Sequence, residues 1–204
     1  MNRILQSTIQ AYRSHATLFE KRLTSSRRIP PFLFEVARLL APRSAVLDLG
    51  CGTGHDSAYL ARHGCRVTAV DATDVFVRGA RARCRHQSVR CLCSDMLAFD
   101  FPRGKFDLVW ANASLIHVPK AKLPGLLRRI RSSLKPGGIL AATLHNGRRE
   151  GIHPGTWIPG RFFASYLKTD LAGLVTDAGF TTRSLRGVVN QDRKGRWLNL
   201  IAEP

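Results

Sequence analysis

Acidic residues are scarce in this chain: 14 aspartates and glutamates stand against 32 lysines and arginines, a formal net charge of +18. An imbalance of that size points towards anionic partners, nucleic acid or a membrane surface. No basic tail carries it, however. The 25 arginines and 7 lysines are spread from Arg3 to Arg196. The densest run, "RGARARCRHQSVR" from Arg78 to Arg90, reads as the solvated face of a helix and the turn after it. Long apolar stretches are missing too, which excludes a membrane-spanning helix. The opening "MNRILQSTIQAYRSH" lacks the apolar core and small-residue cleavage site of a secretory signal, so a soluble, cytoplasmic protein is expected. Cysteine is limited to five residues, and C-x6-C-x-C from Cys84 to Cys93 is not a zinc spacing. Reduced thiols and no metal site are the expectation. Internal repeats and low-complexity segments are absent.

What is present is enough for one core: 204 residues, 44% of them hydrophobic, read as a single domain over 1–204. Residues 1–42 form a helical N-terminal extension, with apolar-periodic segments from Leu5 to Arg22 and from Phe32 to Leu40 separated by the prolines of "TSSRRIPP". From 43 onwards short aliphatic runs alternate with helical segments: "AVLDLG", "RVTAVD", "SVRCLC", "FDLVWA" and "GILAATL". Strands apolar on both faces that alternate with helices predict a parallel sheet covered on both sides. The tail breaks the rhythm. "TTRSLRGVV" and "RWLNLIAE", joined by "NQDRKG", predict an antiparallel hairpin at a sheet edge.

The stretch "VLDLGCGTGHDSAYLA" places Gly50, Gly52 and Gly54 between a strand and a helix, with Asp48 two residues before the first glycine. A dinucleotide fingerprint needs G-x-G-x-x-G. Counting from Gly50 the sixth position is His55, and from Gly52 it is Ser57, so that motif fails twice. Asp71 closes "RVTAVD", where a carboxylate can accept hydrogen bonds from ribose hydroxyls. Asp95 in "CSDM" follows the next strand and suits an adenine amino group, with Met96 against the ring.

These segments together resemble the class I S-adenosylmethionine-dependent methyltransferases. "VLDLGCGTG" is similar to their first motif, "VTAVDAT" to the second, "CSDMLAFDF" to the adenine-site segment, "FDLVWANASLIHV" to the fourth strand, and "LKPGGIL" to the turn into the fifth. The resemblance covers roughly Arg43 to Leu144. "ANASLIHVPKAKLPGLLRRIRSSLKPGGIL", "GRFF" and "RWLNLIA" are further similar to a bacterial branch of tellurite-resistance-type and generic small methyltransferases. The chain departs from that branch at "HNGRREGIHPGTWIPG", a region commonly more acidic there.

The resemblance implies an α/β, doubly wound, Rossmann-like fold whose mostly parallel, seven-stranded sheet ends in the antiparallel C-terminal edge hairpin. The N-terminal helices would form a lid. It implies S-adenosyl-L-methionine as cofactor, held by Asp48, Gly50, Cys51, Gly52, Gly54, Asp71, Ala72, Asp95, Met96, Asn112 and Ser114. His117, just after the fourth strand, is the candidate base or acceptor contact. Tyr12, His145, Arg161 and Tyr166 are candidate acceptor-binding residues, with His153 a further one. For His117, Tyr12, Arg161 and Tyr166 a purely structural role stands as the alternative. Trp110 and Trp197 read as core and edge packing.

Methyl transfer from a sulfonium is a direct displacement that asks mainly for alignment and shelter from water; a base matters only for a protonated nucleophile. "ANASL" lacks the Asn/Asp-Pro-Pro-aromatic signature of enzymes that grip a flipped base, and no Pro-Cys pair serves attack on cytosine. A small-molecule acceptor with a nitrogen, oxygen or sulfur nucleophile is therefore expected. An RNA methyltransferase and a non-catalytic cofactor-binding protein are the alternatives.

Overall fold

Why the central strands pair as they do follows from their side chains. In a computed structural model, which describes residues 3–26, 30–153, 157–190 and 195–204, β1 (Ala45–Leu49), β2 (Arg66–Asp71) and β4 (Phe106–Asn112) carry aliphatic and aromatic residues on both faces. Such strands need cover on each side. They get it from α4 (His55–Arg62), α5 (Asp74–Arg83), α6 (Leu123–Ser133) and α7 (Lys168–Asp177). Two hydrophobic clusters result. One centres on Leu47, Leu49, Val109 and Leu140; the other centres on Val46, Leu60, Leu108 and Trp110.

β3 (Val89–Cys93), β2, β1, β4 and β5 (Leu134–Asn146) lie side by side in that order, all parallel. β9 (Gly195–Glu203) adds antiparallel to β5, with Ala142 opposite Leu200, and β8 (Thr181–Asn190) pairs antiparallel with β9. These seven strands are the expected sheet and edge hairpin. Among the described residues the sheet has nine strands, because β6 (Glu150–Ile152) and β7 (Phe162–Tyr166) form a small antiparallel pair at the end of β5. "HNGRREGIHPGTWIPGRFF" hides it: β6 is only three residues long and carries a glycine.

The N-terminal extension also departs from expectation. The segment from Leu5 to Arg22 is two helices, α1 (Arg3–Ser14) and α2 (Ala16–Ser26), because the His15 N–H bonds to Tyr12 O instead of Ala11 O and the ladder resumes only with Phe19 N–H to His15 O. α3 (Pro31–Ala37) stops three residues short of Leu40. α1 packs one stripe, Leu5, Thr8 and Tyr12, towards β7, and Thr8 Oγ1 accepts the Phe162 N–H at 3.0 Å. The extension thus lies across the carboxyl ends of the strands, where an open α/β sheet binds its ligands. Among the described residues no helix is long and apolar enough to cross a membrane.

Candidate functional site

The glycine loop after β1 spends its own amides. Gly50 and Cys51 both donate to Val70 O, at 2.8 and 3.0 Å; Gly52 donates to Asp71 Oδ2 at 2.9 Å; Gly54 donates to Cys51 O at 3.0 Å. Four donors that a phosphate would require are committed to β2 and to the loop itself. Glycine is required because a Cβ on Gly50 would lie 2.3 Å from Ser114 Cβ, and one on Gly54 would lie 2.9 Å from Ala80 Cβ, at φ of +82° and +81°. The Cys51 thiol turns into the core, where burial pushes its pKa up.

Carboxylates gather around this loop in an otherwise basic molecule. Asp48 is 2% exposed and accepts a hydrogen bond from Ser57 Oγ at 2.5 Å. Burial first, then the nearby Asp56 and Asp71, push its pKa up to about 8. Asp71 accepts the Thr73 N–H at 2.8 Å as well as that of Gly52, and burial raises its pKa. Asp56, in the first turn of α4, accepts from Trp110 Nε1 at 2.9 Å and Asn112 Nδ2 at 2.8 Å. Asn112 Oδ1 in turn accepts from Thr143 Oγ1 at 2.9 Å. The Asn112 amide thus braces β4 between α4 and β5, a role that the cofactor reading did not foresee. Beside it Ala113 sits at φ +55°, backbone strain of the kind stored at functional sites. Ser114 follows, 4% exposed, its Oγ buried without a hydrogen-bond partner against Gly50.

Towards the outer strands, Asp95 holds the turn after β3 by accepting the Leu97 N–H at 2.8 Å. With Ala72, Cys93 and Ser94 it lines a cavity of about 400 Å³ whose other wall is the Gln6–Arg13 face of α1. Met96 packs against the core.

His117 sits in the 3₁₀ turn after β4, 8% exposed. Its Nδ1 lies 2.7 Å from Phe162 O, so Nδ1 carries the proton; Nε2, 2.8 Å from Tyr12 Oη, then accepts from the phenol. Burial lowers the pKa to about 4, with the Arg161 charge adding to the effect, so the ring is neutral at physiological pH. Arg161 Nη1 donates to the same Tyr12 Oη at 3.1 Å. Three of the expected residues, Tyr12, His117 and Arg161, thus form one cluster, and the base candidate has its free nitrogen occupied by Tyr12. His145 lies half-buried between Phe163 and Trp197, with ring centroids at 5.3 and 4.2 Å. His153 donates its N–H to Arg161 O at 3.1 Å. Tyr166 stands apart, 2% exposed in the core with its hydroxyl unpartnered, which removes it from the accessible acceptor contacts.

The extension supplies residues that pattern reading missed. Phe19 of α2 faces Gly52, where an added Cβ would lie 3.4 Å from its ring, and stacks on Phe76 at a centroid distance of 4.6 Å. Glu20 accepts from Thr53 Oγ1 and from Arg83, and lies 3.3 Å from His55 Nε2. The available signal was the single acidic residue in the segment from Leu5 to Arg22.

Comparison with known proteins agrees with this geometry. A family described as "Methyltransferase domain" matches residues 46–138. An uncharacterised methyltransferase of Synechocystis is 31% identical over 156 residues, 70% of this chain and 69% of that protein. A ubiquinone biosynthesis O-methyltransferase of Xanthomonas campestris is 39% identical over 111 residues, covering 52% of this chain and 45% of that protein. Among solved structures, a Burkholderia thailandensis 1,6-didemethyltoxoflavin-N1-methyltransferase with bound 1,6-didemethyltoxoflavin and S-adenosylhomocysteine superposes with a TM-score of 0.72 at 23% identity, over 95% of this chain and 87% of that one. The site fits the family's cofactor, a cationic nucleoside. Its carboxylates suit positive charge, its glycine loop admits close approach, and the buried Ser114 hydroxyl lacks a partner. By sequence, topology and site the chain belongs to the class I S-adenosylmethionine-dependent methyltransferases.

Proposed function

We propose that the chain moves a methyl group from S-adenosylmethionine to a nucleophilic nitrogen, oxygen or sulfur of a small molecule by in-line displacement. One observation carries this reading. The Tyr12, His117 and Arg161 cluster is joined to the Ser114 and Gly50 contact by the His117 N–H, which donates to Ser114 O at 3.0 Å, so an acceptor cluster stands beside a donor loop. Similar proteins named for ubiquinone biosynthesis and for methylation of 1,6-didemethyltoxoflavin support this acceptor class, although another is named for malonyl-[acyl-carrier protein]. Likeness at "GRFF" and "RWLNLIA" supports placement near the tellurite-resistance-type branch.

In this reading Asp71 takes the ribose hydroxyls, while Ala72, Asp95 and Met96 take the adenine. Asp48, the Gly50–Gly54 loop and Ser114 surround the methionine portion, with Asn112 bracing from behind. The bound cofactor supplies the electrophilic methyl and its own leaving group. The protein's part is alignment and exclusion of water, and Phe19 with Tyr12 roofs the site. Tyr12 Oη is the acceptor contact, and neutral His117, whose Nε2 accepts the phenol's hydrogen while its pKa is held down to about 4, orients the phenol instead of taking up a proton.

Asp71→Ala tests the reading. Calorimetric titration with S-adenosylhomocysteine is expected to show an affinity loss of at least about ten-fold, the size of one to two charged hydrogen bonds, with circular dichroism unchanged. Undiminished binding would sink the ribose assignment.

A further inference from the structure

We propose that the aromatic cluster around Arg161 selects a planar aromatic acid as the methyl acceptor, whose anionic oxygen pairs with Arg161 while its ring lies among the surrounding aromatic side chains. This rests on the methyl-transfer reading and names its substrate class.

Arg161 is 5% exposed, a burial that arginine rarely accepts without a carboxylate. Seven ion pairs occur among the described residues, and none includes it. Its two hydrogen bonds go to neutral oxygens, Nε to Ile158 O at 3.0 Å and Nη1 to Tyr12 Oη at 3.1 Å. A guanidinium taken out of water without a counter-charge is heavily penalised. Part of that penalty is met by π faces: the guanidinium carbon lies 5.2, 5.0 and 4.9 Å from the ring centroids of Tyr12, Trp157 and Phe163. Neutral rings attract the cation but leave its charge unmatched, and an incoming anion would match it. The same rings favour a flat ligand. Trp157 stacks with Phe19 at an interplanar angle of 9° and carries the Arg22 guanidinium 4.8 Å from its ring centroid, yet remains 37% exposed at the edge of the cluster. Tyr12 ties this cluster to His117, whose N–H donates to Ser114 O at 3.0 Å beside Gly50, so an acid held by Arg161 lies on the acceptor side.

A carboxylate could also come from the methionine part of the cofactor, and the test separates the two. With S-adenosylhomocysteine saturating, the full-length protein is titrated with 2-naphthoate and with its uncharged amide, 2-naphthamide. The acid is expected to bind at least about ten-fold tighter, as a charge-assisted pair in a sheltered site would require. Arg161→Met is expected to erase that preference and Arg161→Lys to retain part of it, with affinity for S-adenosylhomocysteine changed less than about three-fold in either. Equal binding of acid and amide, no binding of either, or an acid preference that survives Arg161→Met would overturn the proposal. So would a ten-fold loss of S-adenosylhomocysteine affinity with naphthoate binding intact, since the anion would then be the cofactor's own. If Arg161→Met does not fold, the acid-to-amide ratio of the parent and of Arg161→Lys decides. A protein that fails to bind S-adenosylhomocysteine, titrated with the two naphthalenes alone, would refute the methyl-transfer reading while leaving the acid preference to stand or fall by itself.

Discussion

Asp48 is the residue whose chemistry depends most on what fills the site. Its pKa, pushed up to about 8 from an ordinary 3.8, means that the folded protein keeps a proton which the unfolded chain has already lost at neutral pH. The sign is that of a raised carboxyl: its contribution to stability is complete below about pH 4 and is lost as pH rises through 8. A ligand carrying an ammonium and a sulfonium reverses the preference and favours the carboxylate. Binding S-adenosylmethionine near neutral pH should therefore release up to one proton. Calorimetry in buffers of different ionisation enthalpy would show it as a buffer-dependent heat. In Asp48→Asn, where the Ser57 hydrogen bond can persist, the released fraction should fall and affinity should lose its rise between about pH 6 and 8. Heats independent of buffer would refute the coupling. The spacing of Asp48 to Gly50 already marked this aspartate as part of the loop, but nothing in the spacing could show its proton. That property comes first from burial and then from Asp56 and Asp71, all of which only folding supplies.

At the level of elements, the parallel core was legible and so was the helical character of the N-terminal extension, but the detail of the cap was not. β1, β2, β4 and β5 announce themselves because strands buried on both faces read as unbroken aliphatic runs, and five motifs fall at their ends. The β6–β7 pair and the break at His15 were hidden because their cause is tertiary. β6 is a three-residue strand held by β7, and the His15 turn leaves Tyr12 on His117 and Phe19 over Gly52. For the same reason the Tyr12, His117 and Arg161 cluster could not be read as a unit, since its members are 105 and 149 residues from Tyr12 along the chain. Tyr166 failed as an acceptor contact because alternation along β7 points it into the core. The cap is also the element whose attachment can be tested. Glu20 joins α2 to Thr53, His55 and Arg83, tying the extension directly to the glycine loop. Glu20→Ala should cost about 1 kcal/mol of global stability, as expected for a half-exposed ion pair. It should accelerate limited proteolysis within residues 3–26 by more than that loss alone predicts, because local opening is released. Saturating S-adenosylhomocysteine should restore protection if the cap closes on the cofactor. Unchanged cleavage in the variant would show that α2 is held by its apolar contacts alone.

The net charge of +18 belongs to the whole molecule, and its distribution bears on the nucleic-acid alternative. The larger of the two cavities described, about 620 Å³, opens at the amino ends of β1 to β5 and is lined in part by Arg66, Arg90, Lys105 and Lys135. Of these only Lys135 has a carboxylate in an ion pair, with Asp107 at 2.8 Å. The donor loop lies at the opposite, carboxyl ends of the same strands, a separation of roughly five residues at about 3.3 Å each. A polyanion drawn to this basic face would therefore lie a sheet's length from the methyl group. The carboxyl groups Asp48, Asp56 and Asp71 gather at the donor end instead, and Asp48 adds its charge once a cationic ligand displaces its proton. Arginine abundance thus predicts adhesion without turnover. Transfer RNA should bind at low ionic strength and weaken steeply as salt rises, with a slope counting the phosphates neutralised. S-adenosylhomocysteine should leave that affinity unaltered, and Arg66→Ala with Arg90→Ala should reduce it while methyl transfer to a small acceptor is unaffected. Transfer RNA binding that stays strong at physiological salt and is weakened by Arg161→Met would reverse the argument, because the charge would then be serving the site.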